Sequence, residues 1–155
     1  MERTGNCRTR ELIIPQGTNA LGTAFNGANI MYFDEYRIFT NPATGSFSSS
    51  TLKRIVFPEG TTILQSGTFG SCSLERLILP STINTIRKRV FFGPGYGGCE
   101  VMILMAVTPP TLGSDHYSPM PATIYVPDES VEAYKTADVW SYLAGNIKPL
   151  SEYTD

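Results

Sequence analysis

Apolar positions recur along the middle of the chain with a period of 22. Phe25, Phe47, Phe69 and Phe91 stand 22 residues apart, and Ile30, Leu52 and Leu74 follow the first three by five residues each. Two consecutive units, 52–69 and 74–91, share the pattern LxxΦxΦP: Leu52, Ile55, Phe57, Pro58 in one and Leu74, Leu77, Leu79, Pro80 in the other. After its first position the pattern alternates, which predicts a short strand with Ile55 and Phe57 facing inward and Arg54 and Val56 facing outward. Proline has no N–H to give to a ladder, so it ends the strand. Six residues after each proline comes Leu64 or Ile86, the anchor of a return leg that leads to the Phe. One such coil cannot cover its own flanks, so consecutive coils must stack into a continuous core.

Two departures mark the ends of the regular stretch. In 29–47 the third inward position falls on Glu35 and no proline follows, so that rung breaks the pattern. Beyond Phe91 the next opening aliphatic is expected at Val101, ten residues on, with the surplus taken up by the glycine-rich insertion "GPGYGG", Gly93 to Gly98. Three residues after each of the first three Phe lie Ala28, Ser50 and Cys72; Cys99, two before Val101, takes the same place after the insertion. A tight corner calls for such small side chains, which assigns Cys72 and Cys99 to packing instead of redox or metal work. Cys7 lies outside the ladder.

The C-terminal quarter has another character. Asp128, Glu129 or Ser130 is placed to cap a helix beginning near Val131, with Gly145 as its stop and Val131, Tyr134 and Trp140 covering the open end of the core. Repeat arrays need a polar-faced terminal unit to stay in solution, which gives this segment a structural role. The implied organisation is an N-terminal extension over 1–10, coils over 11–123, a cap over 124–150 and a tail over 151–155.

Composition narrows the function classes. Twelve Lys and Arg against fourteen Asp and Glu give a net charge of −2, which provides no general attraction for nucleic acid or anionic lipid. The densest basic run, Arg87 to Arg89, lacks interleaved aromatics and reads as a solvated return leg. The longest apolar run, Val101 to Val107, is far below the roughly 18 residues that span a bilayer. "MERTGNCRTRELIIP" lacks the apolar core of a secretory signal, so the chain as given carries no export address. Three cysteines make neither a disulfide framework nor a paired CxxC zinc site. His116, the single histidine, has Asp115 beside it, but no activated nucleophile accompanies the pair, and no catalytic residue, cofactor site or metal site is expected. "GPGYGG" lacks the Gly-Lys-Ser/Thr of a phosphate cradle and reads as a loop with Tyr96 at its tip.

The motif LxxΦxΦP, followed by an aliphatic and then Phe-x-x-Cys, resembles the BspA-like leucine-rich repeats of surface and secreted proteins from host-associated anaerobic bacteria. "TPPTLG", Thr108 to Gly113, resembles the family's final turn, and "IYVPDESVEAYKTADVWSYLAGNIKPL", Ile124 to Leu150, resembles its closing segment. The resemblance covers roughly residues 11 to 150. It implies a β-rich repeat solenoid of the leucine-rich repeat class, with a short parallel strand per coil of about 22 residues and a short helical C-terminal cap. It further implies a non-enzymatic, adhesin-like module at the cell surface or secreted, which recognises a protein or glycan or associates with another copy of itself. A structural subunit of a larger surface or phage appendage is the alternative.

If the strands stack in the period-22 register, the outward positions form columns. Arg54, Arg76 and Ile103 make one, and Val56, Ile78, Met105 and Tyr125 make the next, with Tyr32 and Asp34 continuing them. An apolar strip beside two arginines is the expected contact surface, carried by Arg54, Val56, Arg76, Ile78, Met105 and Tyr125.

Overall fold

The computed structural model describes residues 11–14, 35–38, 51–57, 59–65, 68–69, 73–90, 98–113 and 121–154. Of 11–14, 35–38, 51–54, 73 and 98 it describes the backbone alone. Strands β1 (Glu11–Ile14), β2 (Glu35–Ile38), β3 (Thr51–Val56), β5 (Ser73–Leu79), β7 (Gly98–Leu104), β9 (Thr123–Val126) and β10 (Ile147–Pro149) form one sheet in that order. Every neighbouring pair in it is parallel. The short strands β4 (Ile63–Leu64), β6 (Thr85–Ile86) and β8 (Thr111–Leu112) form a second parallel sheet on the return legs. The repeat solenoid expected from the period is the architecture found.

The alternation inside each strand explains what is buried. Ile55 and Phe57, Leu77 and Leu79, Met102 and Leu104, and Ile124 and Val126 all lie in the core, as do Leu64, Ile86 and Leu112 from the return legs. Each fully buried aliphatic or Phe side chain contributes about 1.5–3 kcal/mol, and stacking lets one coil's core side chains shield the next coil's. Phe69 is buried and meets the Phe57 ring edge-on, with centroids 6.2 Å apart. The ladder positions Phe25, Phe47 and Phe91 lie outside the described residues, as do Cys7, Cys72, Tyr96 and His116.

Adjacent coils are also tied at the turn after the proline. Both polar groups of Ser81 donate to the Glu59 carboxylate, the amide at 3.0 Å and the hydroxyl at 2.8 Å. The Gly60 amide donates to Thr82 Oγ1, and that hydroxyl donates to the Thr61 carbonyl. Gly60 has φ 101°, a left-handed conformation that favours glycine. On the return leg, Gly113 approaches the neighbouring coil so closely that a Cβ would sit 2.2 Å from the Lys88 nitrogen, while its amide donates to the Ile86 carbonyl at 2.8 Å.

The register corrects two expectations. Tyr36 pairs with Ile55 and Arg37 with Val56, an offset of 19 instead of 22, so Glu35 does not stand opposite Phe57 as the period had it. Beyond the insertion, Leu74 pairs with Cys99 and Arg76 with Val101. Cys99 therefore takes the opening inward position expected of Val101, and the coil is two residues shorter than the sequence suggested. Buried Cys99 is a core residue, although in a different place from the predicted corner.

The helix begins where expected and ends earlier. A 3-10 turn, Asp128–Ser130, leads into helix α1 (Val131–Thr136), which stops at Ala137 well before Gly145. Val139, at φ 64°, redirects the backbone into a second 3-10 segment, Trp140–Asn146. None of Asp128, Glu129 and Ser130 caps α1 through its side chain. Asp128 instead accepts the Ser151 amide at 2.9 Å, and the Ser130 hydroxyl is buried. Tyr134 and Trp140 do close the core. Both are buried, their rings meet edge-on at 5.1 Å, and they donate to the carbonyls of Ala106 and Pro110 in the last coil's turn, each at 2.7 Å. Burial in that apolar end pushes the Tyr134 phenol well above its ordinary value. The chain then adds β10 beside β9, with Ile147 opposite Ile124, so the closing segment supplies a strand as well as a helix.

Candidate interaction face

The larger sheet turns one face to the core and the other outward, and the side chains on the outward face are stacked by the parallel register. Arg54 pairs with Arg76 and Arg76 with Val101, which in turn pairs with Thr123. In the adjacent column Val56 pairs with Ile78, Ile78 with Ile103, Ile103 with Tyr125, and Tyr125 with Lys148. Five of the six expected contact residues thus fall in these two columns; the Arg54 side chain itself lies outside the described residues. Val56, Arg76, Ile78 and Tyr125 are half-buried.

Met105 does not belong to the strip. It follows inward-facing Leu104 at the strand's end, donates its amide to the Leu79 carbonyl, and is 41% exposed at the rim. Ile103 holds the place expected of Met105, and Val101 the place expected of Ile103, both consequences of the two-residue register difference. Tyr32 and Asp34 lie outside the described residues.

Ile103 is only 4% exposed, although it stands between inward-facing Met102 and Leu104. The last residues of the chain reach the same face, against the neighbouring strands. After β10 a 3-10 turn, Leu150–Glu152, brings Tyr153 back over the sheet. The Tyr153 ring meets Tyr125 edge-on with centroids 5.1 Å apart, and the Arg76 guanidinium carbon lies 5.8 Å from its centroid. That distance suits a cation–π contact. Sequence reasoning missed Tyr153 because a single aromatic in a polar terminus belongs to no period.

Among the described residues, no group of three or more His, Cys, Asp and Glu is placed to hold a metal ion. No helix among them is long and apolar enough to cross a membrane. Arg87, Lys88 and Arg89 are exposed on the return leg. A shallow groove of about 460 Å³ runs between the last two coil turns, from Ser81–Asn84 to Val107–Thr111, and the side chains along it include hydroxyls, an amide and prolines.

None of the curated proteins matches the chain. Residues 5–94 match the family described as the BspA type leucine-rich repeat region (6 copies), which takes in more than half of the sequence and meets the coils described above. With the period, the parallel register and the return-leg sheet in agreement, the chain belongs to the BspA-type leucine-rich repeat family.

Proposed function

We propose that the chain is a non-enzymatic recognition module which binds a protein or glycan partner on the outward face of its larger sheet, at the cell surface or outside the cell. The observation that carries this reading is the in-register strip Val56–Ile78–Ile103–Tyr125 beside Arg54 and Arg76, with Met105 at its rim. Parallel stacking holds these side chains on a rigid scaffold, so a partner meets a surface that costs little further ordering on binding. Aromatic and arginine side chains are the types enriched at contact surfaces. Membership of the BspA-type family supports an interaction role.

The test is a pull-down from host extracellular material with the wild type and with the double variant Arg76→Glu, Ile78→Ser. A partner captured by the wild type and lost by the variant, with the melting temperature nearly unchanged, supports the reading. A partner retained by the variant places the contact surface elsewhere.

A further inference from the structure

The turns that lead from the larger sheet to the return legs are evenly spaced until the last one. From β3 to β5 and from β4 to β6 the register advances by 22, with Ile55 opposite Leu77 and Ile63 opposite Thr85. From β5 to β7 it advances by 25, with Leu79 opposite Leu104, but from β6 to β8 by 26, with Thr85 opposite Thr111. The last turn, 105–110, therefore holds one residue more than the turn before it, 80–84. The even step is bridged by side chains, Ser81 to Glu59 and the Thr82 hydroxyl to Gly60 and Thr61. The uneven step is not. Met105 and Thr111 donate their amides to Leu79 and Asn84 at its two ends, and among the described residues no hydrogen bond crosses between 81–83 and 106–110. Pro109 and Pro110 have no N–H to give. The groove of about 460 Å³ is this gap. The wall formed by the last turn is fixed by the cap, because Tyr134 and Trp140 donate to the Ala106 and Pro110 carbonyls.

We propose that this groove is a binding site for a neutral saccharide, separate from the outward face and independent of its role. None of the lining residues is ionisable, so a charged ligand would give up its hydration with no opposite charge to replace it. Hydroxyls and an amide line it instead. The Thr108 and Thr111 hydroxyls and the Asn84 amide nitrogen have no hydrogen-bond partner among the described residues, while the Asn84 amide oxygen accepts the Thr85 hydroxyl at 2.8 Å. Val107, 57% exposed, and Pro109 add aliphatic C–H surface. A sugar ring matches that mixture, with hydroxyls around its rim and C–H groups on its faces. The volume falls within the range of about 300–1,000 Å³ usual for small-ligand sites, and walls already held in place need little ordering on binding. A polypeptide fits less well. Extended peptides add to an open sheet edge, and β6 and β8, the strands nearest the groove in the chain, already pair with each other.

The experiment uses the full chain with isoleucine and valine methyl groups labelled for NMR. Maltose, lactose and N,N′-diacetylchitobiose are the probes, and glycerol and a blocked trialanine peptide the controls. At least one disaccharide is expected to move the Ile83 and Val107 methyl signals saturably, while the controls leave them in place. Asn84→Ala together with Thr108→Val should weaken that disaccharide about tenfold, as two lost hydrogen bonds would. The outward-face variant Arg76→Glu, Ile78→Ser should bind it as the wild type does. Signals that no disaccharide moves, an equal response to glycerol or trialanine, undiminished binding by the Asn84 and Thr108 variant, or binding lost with the outward-face variant would each overturn the proposal. A response to trialanine alone would make the groove a peptide site. If the double variant disturbs the Ile55 and Ile124 core signals, Thr108→Val decides alone, since it changes an exposed hydroxyl for a methyl group and should still weaken binding severalfold.

Discussion

The indole N–H of Trp140 donates to the carbonyl oxygen of Pro110 at 2.7 Å, tying the closing segment to the last coil across 30 residues of sequence. Both groups are buried, so the bond cannot be replaced by water without opening the end of the core. Trp140→Phe keeps much of the ring and orphans the carbonyl, which predicts a loss of about 1–3 kcal/mol. Trp140→Ala also removes the ring from a site 1% exposed, which predicts about 3–5 kcal/mol. Chemical denaturation of both variants measures the two losses; equal losses would show that the ring contributes nothing beyond the hydrogen bond.

Gly113 and Gly145 make opposite predictions. A Cβ on Gly113 would meet the backbone of Lys88 at 2.2 Å, and backbone cannot step aside as a flexible side chain can. Gly113→Ala must part the return legs of two coils, and the melting temperature should fall by several degrees. A Cβ on Gly145 meets nothing within 4 Å. Gly145→Ala should melt within a degree or two of the wild type, about the change expected of a surface substitution. Thermal unfolding of the pair checks the close approach directly.

The tie between Glu59 and Ser81 sets an acid limb. Hydrogen bonds from the Ser81 hydroxyl and amide favour the charged carboxylate and hold the Glu59 pKa below its ordinary value of 4.5. Because the folded value is the lower one, the stabilisation is present above that ordinary value and is lost as the pH falls through the folded one. Ser151 depresses the Asp128 carboxyl in the same sense. Glu59→Gln should therefore reduce, without abolishing, the fall in melting temperature between about pH 5 and pH 3. Identical pH profiles for wild type and variant would show that the tie is too well solvated to matter.

The parts of this fold that were legible in the sequence were those that repeat. Ile55, Phe57, Leu77 and Leu79 could be assigned inward because each pair alternates and ends at a proline, and Leu64 and Ile86 because they return at a fixed distance. The register failed across "GPGYGG", since a glycine-rich stretch offers no apolar position from which to keep count. There the series Ala28, Ser50, Cys72 drew Cys99 into a corner that the strand pairing does not give it. The end of α1 was hidden for another reason. Gly145 looks like a stop, whereas the turn is made at Val139, a residue whose branched side chain disfavours the positive φ it adopts. β10 has three residues, one of them a proline, too few to alternate. The Tyr153 contact is a single event, and pattern reasoning detects only what recurs.

The way the closing segment is attached has a genetic consequence. Its buried hydrogen bonds reach Ala106 and Pro110, and its strand pairs with β9. Those anchors all lie beyond 52–73, the span of one regular coil. Duplicating that stretch in the gene would insert one more coil between like neighbours and leave those anchors as they are. An added coil would lengthen the outward face while the closing segment keeps its seat on the last one.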